Sequence, residues 1–204
     1  MQPYSIAIRN LSKSFNGLPV LSGLDLDLSS GNTYCLMGAS GTGKTTFLRI
    51  LLGLEQPDGG TVRTEGCPEA GRCMAAVFQE DRLCETFSAL DNVLLAAGKN
   101  LGRETAYREL CRLLPEESVT RPVSTLSGGM KRRVAILRAL LAPSRAILMD
   151  EPFTGLDEDT KQIVIDYIKE KTRDKLLVVV THQEDDVASL GGRLVTLSPS
   201  GRVI

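Results

Sequence analysis

Residues 38–46 read Gly38-Ala39-Ser40-Gly41-Thr42-Gly43-Lys44-Thr45-Thr46, the phosphate-loop pattern of Gly, four residues, then Gly-Lys-Ser/Thr. Nothing else in the chain restricts the fold as strongly. Glycines at these places let the backbone curl until successive N–H groups face inward around an anion. A helix starting where the loop ends points its positive dipole end at the same anion. Lys44 brings a mobile charge for the β- and γ-phosphates, and the Thr45 hydroxyl suits Mg²⁺. The flanks agree: residues 33–37 form a short apolar strand, and Phe47, Leu48, Leu51 and Leu52 give a helical apolar stripe. Chance produces such a match in on the order of 1% of chains this long, so an ordinary Gly-rich turn is the poorer reading. The motif alone says that a nucleoside triphosphate binds. The rest of the chain must say to what end.

Around this loop the chain alternates strand and helix. Ile6 and Ile8 alternate with Ser5, Ala7 and Arg9, and Leu24, Leu26 and Leu28 alternate with Asp25 and Asp27, so residues 4–28 are β-rich with one wet face. Asn16-Gly17 marks the hairpin turn between them. Phe15, beside that turn, is either an edge-of-core residue or a flat platform for a base. Residues 61–64 form a strand after the turn signal Pro57-Asp58-Gly59-Gly60. Residues 74–78 read as a buried strand that ends at Gln79, a polar residue at the edge of a site or in a solvated loop. Residues 88–114 are helical, opening on a capping box of Ser88 with Asp91.

Leu126-Ser127-Gly128-Gly129-Met130 starts a helix that runs to about residue 141, capped by Ser127. Lys131-Arg132-Arg133 follows, and its amphipathic setting against Val134, Leu137 and Leu141 predicts a solvated face rather than a nucleic-acid patch. Residues 146–149 are continuously apolar and end in Asp150-Glu151; residues 176–180 are another buried strand, ending in Thr181-His182. Such runs imply a parallel sheet covered on both faces, whose carboxyl ends carry the ligands. His182, the single histidine, therefore falls in the same layer as Asp150 and Glu151. Residues 159–172 read as a helix with the apolar pairs Ile163/Tyr167 and Val164/Ile168. Residues 194–197 and 203–204 read as a closing hairpin around Pro199-Ser200-Gly201.

Composition narrows the role. A net charge of −1 favours neither nucleic acid nor an anionic membrane, and 4% aromatics without tryptophan leave no stacking platform for single strands. Five cysteines, an odd number with no Cys-x-x-Cys pair, predict reduced thiols in a cytosolic protein. Neither a signal-peptide pattern nor an apolar run of spanning length is present, so the expectation is a chain that is not exported and does not insert into a bilayer.

Taken in order, these stretches resemble the ATP-binding cassette ATPases over nearly the whole chain. Residues 38–46 look like Walker A, Gln79 like the Q-loop glutamine, residues 126–130 like the Leu-Ser-Gly-Gly-Gln signature, residues 147–151 like Walker B with its glutamate, Gly155-Leu156-Asp157 like the D-loop, and His182 like the switch histidine. Met130 departs from the signature, where glutamine is usual. The resemblance implies an α/β fold: a RecA-like phosphate-loop core with a mainly parallel sheet. It adds an antiparallel β part at about 1–32 and 60–66 and a small helical subdomain at about 80–130, all within one cassette domain of 1–204. It implies that ATP is bound by Phe15, residues 38–46 and Asp157, with Ser127, Gly128 and Gly129 contributed from a second cassette. Mg²⁺ would sit by Thr45, Gln79 and Asp150, and Glu151, His182, Lys44 and Gln79 would perform the hydrolysis.

The implied partners are a like ATPase subunit, in a homodimer, and a transmembrane permease at the cytoplasmic face of the membrane, with no nucleic acid. The stretches 79–83 and 90–93 look most like importers of the nitrate, sulfonate and taurine type, although Cys84-Glu85-Thr86-Phe87 stands where that group has tryptophan. A mechanical ATPase of lipoprotein release or cell division is the alternative. Repair or translation cassettes, with tandem domains or long insertions, fit less well, as does a monomeric kinase. A regulatory C-terminal domain is not expected.

Overall fold

The computed structural model describes residues 3–67, 73–198 and 201–202. Strands β1 (Ser5–Phe15) and β2 (Leu18–Ser29) form an antiparallel hairpin, and β4 (Gly59–Glu65) pairs antiparallel with β1 on its other side. Asn16 and Gly17 both take positive φ, 51° and 78°, which is the turn that matches strand twist. The second sheet holds β3 (Thr33–Met37), β5 (Met74–Val77), β6 (Ala146–Asp150), β7 (Leu176–Val180) and β8 (Arg193–Thr196). Its order is β5-β6-β7-β3-β8 and every pairing is parallel.

Six α-helices connect these strands among the described residues: α1 (Lys44–Leu51), α2 (Ala89–Ala97), α3 (Arg103–Cys111), α4 (Gly128–Leu141), α5 (Glu158–Thr172) and α6 (Glu184–Leu190). Period-2 geometry divides the central strands between two cores. Ile147 and Met149 of β6 and Leu177 and Val179 of β7 join a cluster with α2 to α5; Leu148, Val178 and Val180 join one with α1 and the antiparallel sheet. Ser88 caps α2: its hydroxyl accepts from the Asp91 N–H at 3.0 Å and donates to the Asp91 carboxylate at 2.6 Å. Ser127 caps α4 in the same way, accepting from the Met130 N–H.

Five expectations are corrected. β5 is an edge strand, and of its residues only Val77 is fully buried. β8 does not close a hairpin; it lies parallel to β3, and Pro199, Ser200, Val203 and Ile204 fall outside the described residues. Ile163 is 57% exposed, because α5 turns Val164, Tyr167 and Ile168 inward and brings Ile165 with them. Cys67 and Cys73 are bonded to each other, since the end of β4 and the start of β5 bring their Cα atoms to 6.2 Å, within disulfide range. Cys35, Cys84 and Cys111 are thiols. Finally, the basic triplet is not a solvated face: Arg132 is 3% exposed and Arg133 donates to the Leu113 carbonyl, Lys131 alone reaching outward to Glu85.

Candidate functional site

Four strands of the parallel sheet deliver the site from their carboxyl ends, where open α/β sheets bind ligands. Gly38 follows β3, Gln79 follows β5, Glu151 follows β6 and His182 follows β7. A cavity of about 360 Å³ opens there, lined by Ser40, Gly41, Gly43, Lys44, Thr45, Thr46, Gln79, Asp150 and Glu151, with Val20 and Val180 as its apolar wall.

The loop is built by its own side chains. The Thr42 hydroxyl donates to the Ala39 carbonyl at 2.9 Å, and the Lys44 ammonium donates to the Gly38 and Ala39 carbonyls at 2.7 and 2.9 Å. Gly43, the N-cap of α1, has φ 91°, and a Cβ there would lie 2.7 Å from Val20 Cγ1. Glycine is thus required twice over, for conformation and for room.

Thr45 stands on the first turn of α1, and its hydroxyl donates to Asp150 Oδ2 at 2.7 Å. Two oxygen ligands side by side, beside Gln79 in the same cavity, match the all-oxygen preference of Mg²⁺. Among the described residues no group of three His, Cys, Asp or Glu side chains could hold a metal on its own. A hydrated ion that arrives with phosphate oxygens fits such a sparse set, and a dedicated protein cage does not.

One residue further, Glu151 adopts φ 49°, a left-handed conformation that costs a non-glycine residue on the order of 1–3 kcal/mol. Four contacts hold it: its N–H donates to the Val180 carbonyl at 3.0 Å, its carbonyl accepts from Arg132 at 2.5 Å and from the Thr154 N–H at 3.4 Å, and its carboxylate meets His182 Nδ1 at 2.9 Å. The backbone before His182 is fixed in turn by buried polar groups. The Thr181 hydroxyl donates to Asp186 at 2.5 Å, and Asp186 pairs with Lys161 of α5 at 2.6 Å.

The structure brings residues 38–46, Gln79, Asp150, Glu151 and His182 together and leaves other candidates apart. Ser127, Gly128 and Gly129 do not line the cavity. They stand at the tip of α4, where Ser127 and Gly128 are exposed and a Cβ on Gly129 would lie 3.4 Å from the Gly155 carbonyl. Asp157, just beyond, caps α5 by accepting from the Thr160 N–H at 2.9 Å, a bond that holds its carboxylate below the usual range. Phe15 is 43% exposed at the hairpin tip with the Lys13 ammonium 5.1 Å from its ring centre, so it is not a core residue. Met130 packs against the helical core cluster, an apolar berth that glutamine would not need.

Two contributors escape motif reading. Val20 carries no chemical signal, but its side chain sets the wall behind Gly43. Arg132 was visible only through spacing, four residues before Ile136 and seven before Ala139 on the buried stripe of α4.

Fold and site together define a phosphate-loop nucleoside triphosphatase. The family model described as ABC transporter matches residues 21–154. An aliphatic sulfonates import ATP-binding protein of Pseudomonas syringae pv. tomato is 38% identical over 200 residues, covering 96% of this chain and 71% of that protein. A phosphonates import ATP-binding protein of Natronomonas pharaonis is 36% identical, covering 98% and 91%. A bacterial ABC transporter cassette, solved as a dimer, superposes with a TM-score of 0.83 at 30% identity, over 97% of this chain and 96% of that one. This chain belongs to the ABC transporter ATP-binding family.

Proposed function

We propose that the chain, as one cassette domain, is the ATP-hydrolysing subunit of a membrane importer and works at the cytoplasmic face beside a separate permease. No described helix is long and apolar enough to cross a membrane, in keeping with spans supplied by another protein. Relatives named for sulfonate and for phosphonate import are almost equally similar, at 38% and 36% identity, so the cassette itself does not select the cargo.

The observation that carries this reading is the convergence of Thr45–Asp150 and Glu151–His182 on the mouth of the glycine loop. In the proposed mechanism the N–H groups of residues 40–45 and the Lys44 ammonium hold the triphosphate, and Phe15 stacks on adenine. Thr45, Asp150 and Gln79 would hold Mg²⁺, which would supply charge neutralisation for the phosphate oxygens. Glu151 takes a proton from the attacking water as its oxygen bonds to the γ-phosphorus and the bond to the ADP oxygen breaks. His182 orients the Glu151 carboxylate and reaches the γ-phosphate. Gln79 senses that phosphate. Ser127, Gly128 and Gly129, too far round the surface to touch their own cavity, close over the nucleotide of a second copy in a two-fold pair, with Asp157 at the seam.

Glu151→Gln tests the assignment. Turnover is expected to fall by roughly 10²- to 10⁴-fold, with the ATP dissociation constant unchanged and an ATP-bound dimer collecting on size exclusion. Near-normal hydrolysis removes Glu151 from the role of base.

A further inference from the structure

The mechanism uses none of the charged side chains of α4, and Arg132 is the most buried of them. We propose that Arg132 is a positioning residue, which fixes the Glu151 peptide in its left-handed conformation and ties it to the loop of Gln79. The inference rests on the assignment of Glu151 as base.

Every donor of the guanidinium is engaged. Nε donates to the Pro152 carbonyl at 3.0 Å; Nη1 donates to the Phe78 and Gln79 carbonyls at 2.6 and 3.3 Å and to Asp81 Oδ1 at 3.0 Å; Nη2 donates to the Asp150 and Glu151 carbonyls at 3.2 and 2.5 Å. Five backbone carbonyls from two chain segments, the ends of β5 and β6, thus converge on one rigid planar group. A single carboxylate, Asp81, balances its charge. Arg138, two turns further along α4, donates to the Asp81 and Arg82 carbonyls at 3.0 and 2.7 Å, so the same helix grips the loop twice.

The physical consequence follows from stiffness. A left-handed glutamate persists only where its surroundings over-determine it. Of the four contacts on Glu151, the Arg132 bond is the only one that also reaches the Gln79 loop. Movement of that loop must therefore either carry the guanidinium with it or break bonds to the Glu151 peptide. Lysine cannot substitute, because a compact ammonium with three donors cannot span both strand ends. The arginine stands five residues after Ser127, so one helix joins the signature tip, the Gln79 loop and the base.

The experiment measures ATP turnover and the ATP dissociation constant of the full chain for Arg132→Lys, alone and on the Glu151→Gln background. Turnover of the single variant is expected to fall 10- to 100-fold with the dissociation constant within threefold. On the Glu151→Gln background the same change should alter residual turnover by less than twofold, because Arg132 acts through a carboxylate that is already gone. Undiminished turnover, an equal loss in both backgrounds, or a parallel loss of ATP affinity each overturns the proposal. Should Arg132→Lys fail to fold, Asp81→Asn removes the half-buried counter-charge instead. It should give a two- to fivefold loss with the same non-additivity, and an additive loss refutes the proposal equally. If Glu151→Gln itself hydrolyses normally, the base assignment falls first, a result that no Arg132 measurement can mimic.

Discussion

Gly43→Ala, measured against Gly41→Ala, separates the two reasons for glycine in the phosphate loop. Both positions have positive φ, 91° and 83°. An alanine in that region costs about 1–2 kcal/mol, partly offset through the unfolded chain by about 0.4–1 kcal/mol at either site. The surroundings differ. A Cβ at Gly41 meets nothing within 4 Å, whereas one at Gly43 meets Val20 Cγ1 at 2.7 Å and the Val20 carbonyl at 3.0 Å. Val20 belongs to β2, and forcing it aside adds an overpacking cost of about 1–3 kcal/mol. Before the shared offset, Gly41→Ala should lose about 1–2 kcal/mol and Gly43→Ala about 2–5 kcal/mol. At about 2–4 °C per kcal/mol for a domain of this size, the melting temperature should drop by about 2–8 °C and 4–20 °C respectively. Thermal melts without nucleotide read the difference directly, since the offset cancels. Equal shifts for the two variants, or a Gly43→Ala shift no larger than that of Gly41→Ala, would refute the steric account of Val20.

Three further outcomes are expected. Phe15→Ala should weaken ATP binding by about 5- to 150-fold, the equivalent of about 1–3 kcal/mol of stacking, yet leave the melting temperature nearly unmoved because the ring is exposed; calorimetric titration showing unaltered affinity would dismiss the platform. Acid should loosen the contact between α3 and α5: Arg112 and Lys171 hold Glu170 down to about 2, and Glu109, although burial raises it, is lowered by its bonds from Lys171 and Tyr167. Carboxylates depressed in the folded state add stability above their unfolded value of about 4.3 and lose it as pH falls toward the folded one. Between pH 5 and 3 the urea midpoint of the native chain should therefore fall more steeply than that of Glu109→Gln/Glu170→Gln, and matching slopes would count against the network. Thiol titration under non-reducing native and denaturing conditions should count three thiols in total, because Cys67 and Cys73 are paired; five would restore the expectation from composition. Cys67→Ser should cost at most about 2 kcal/mol, the loop between them being short.

The strands of the parallel core were plain in the sequence. Residues 34–36 and 176–180 are buried runs without a charged residue because both faces are covered, and a run of that kind has few other homes. The phosphate loop, Asp150, Glu151 and His182 stand where the sequence puts them because each follows such a strand, whereas Gln79 follows the partly exposed edge strand β5. What stayed hidden depends on contacts distant in sequence. β8 pairs with β3 across some 160 residues, and nothing local distinguishes a parallel edge strand from half a hairpin. Cys67 and Cys73 meet only because two strand ends are brought close. Arg132 was misread for a different reason. A guanidinium normally marks solvent, and its burial becomes intelligible only when five carbonyls are seen to converge on it.

The backbone of Glu151 has a bearing on how such chains drift over generations. A peptide at φ 49° suits glycine or asparagine better than glutamate, so the folded scaffold, left to itself, disfavours the residue proposed as the base. Selection for turnover must continually outweigh that preference. In a duplicated copy released from hydrolysis, the glutamate is among the first residues expected to vanish, with the glycine cradle and its nucleotide outlasting it.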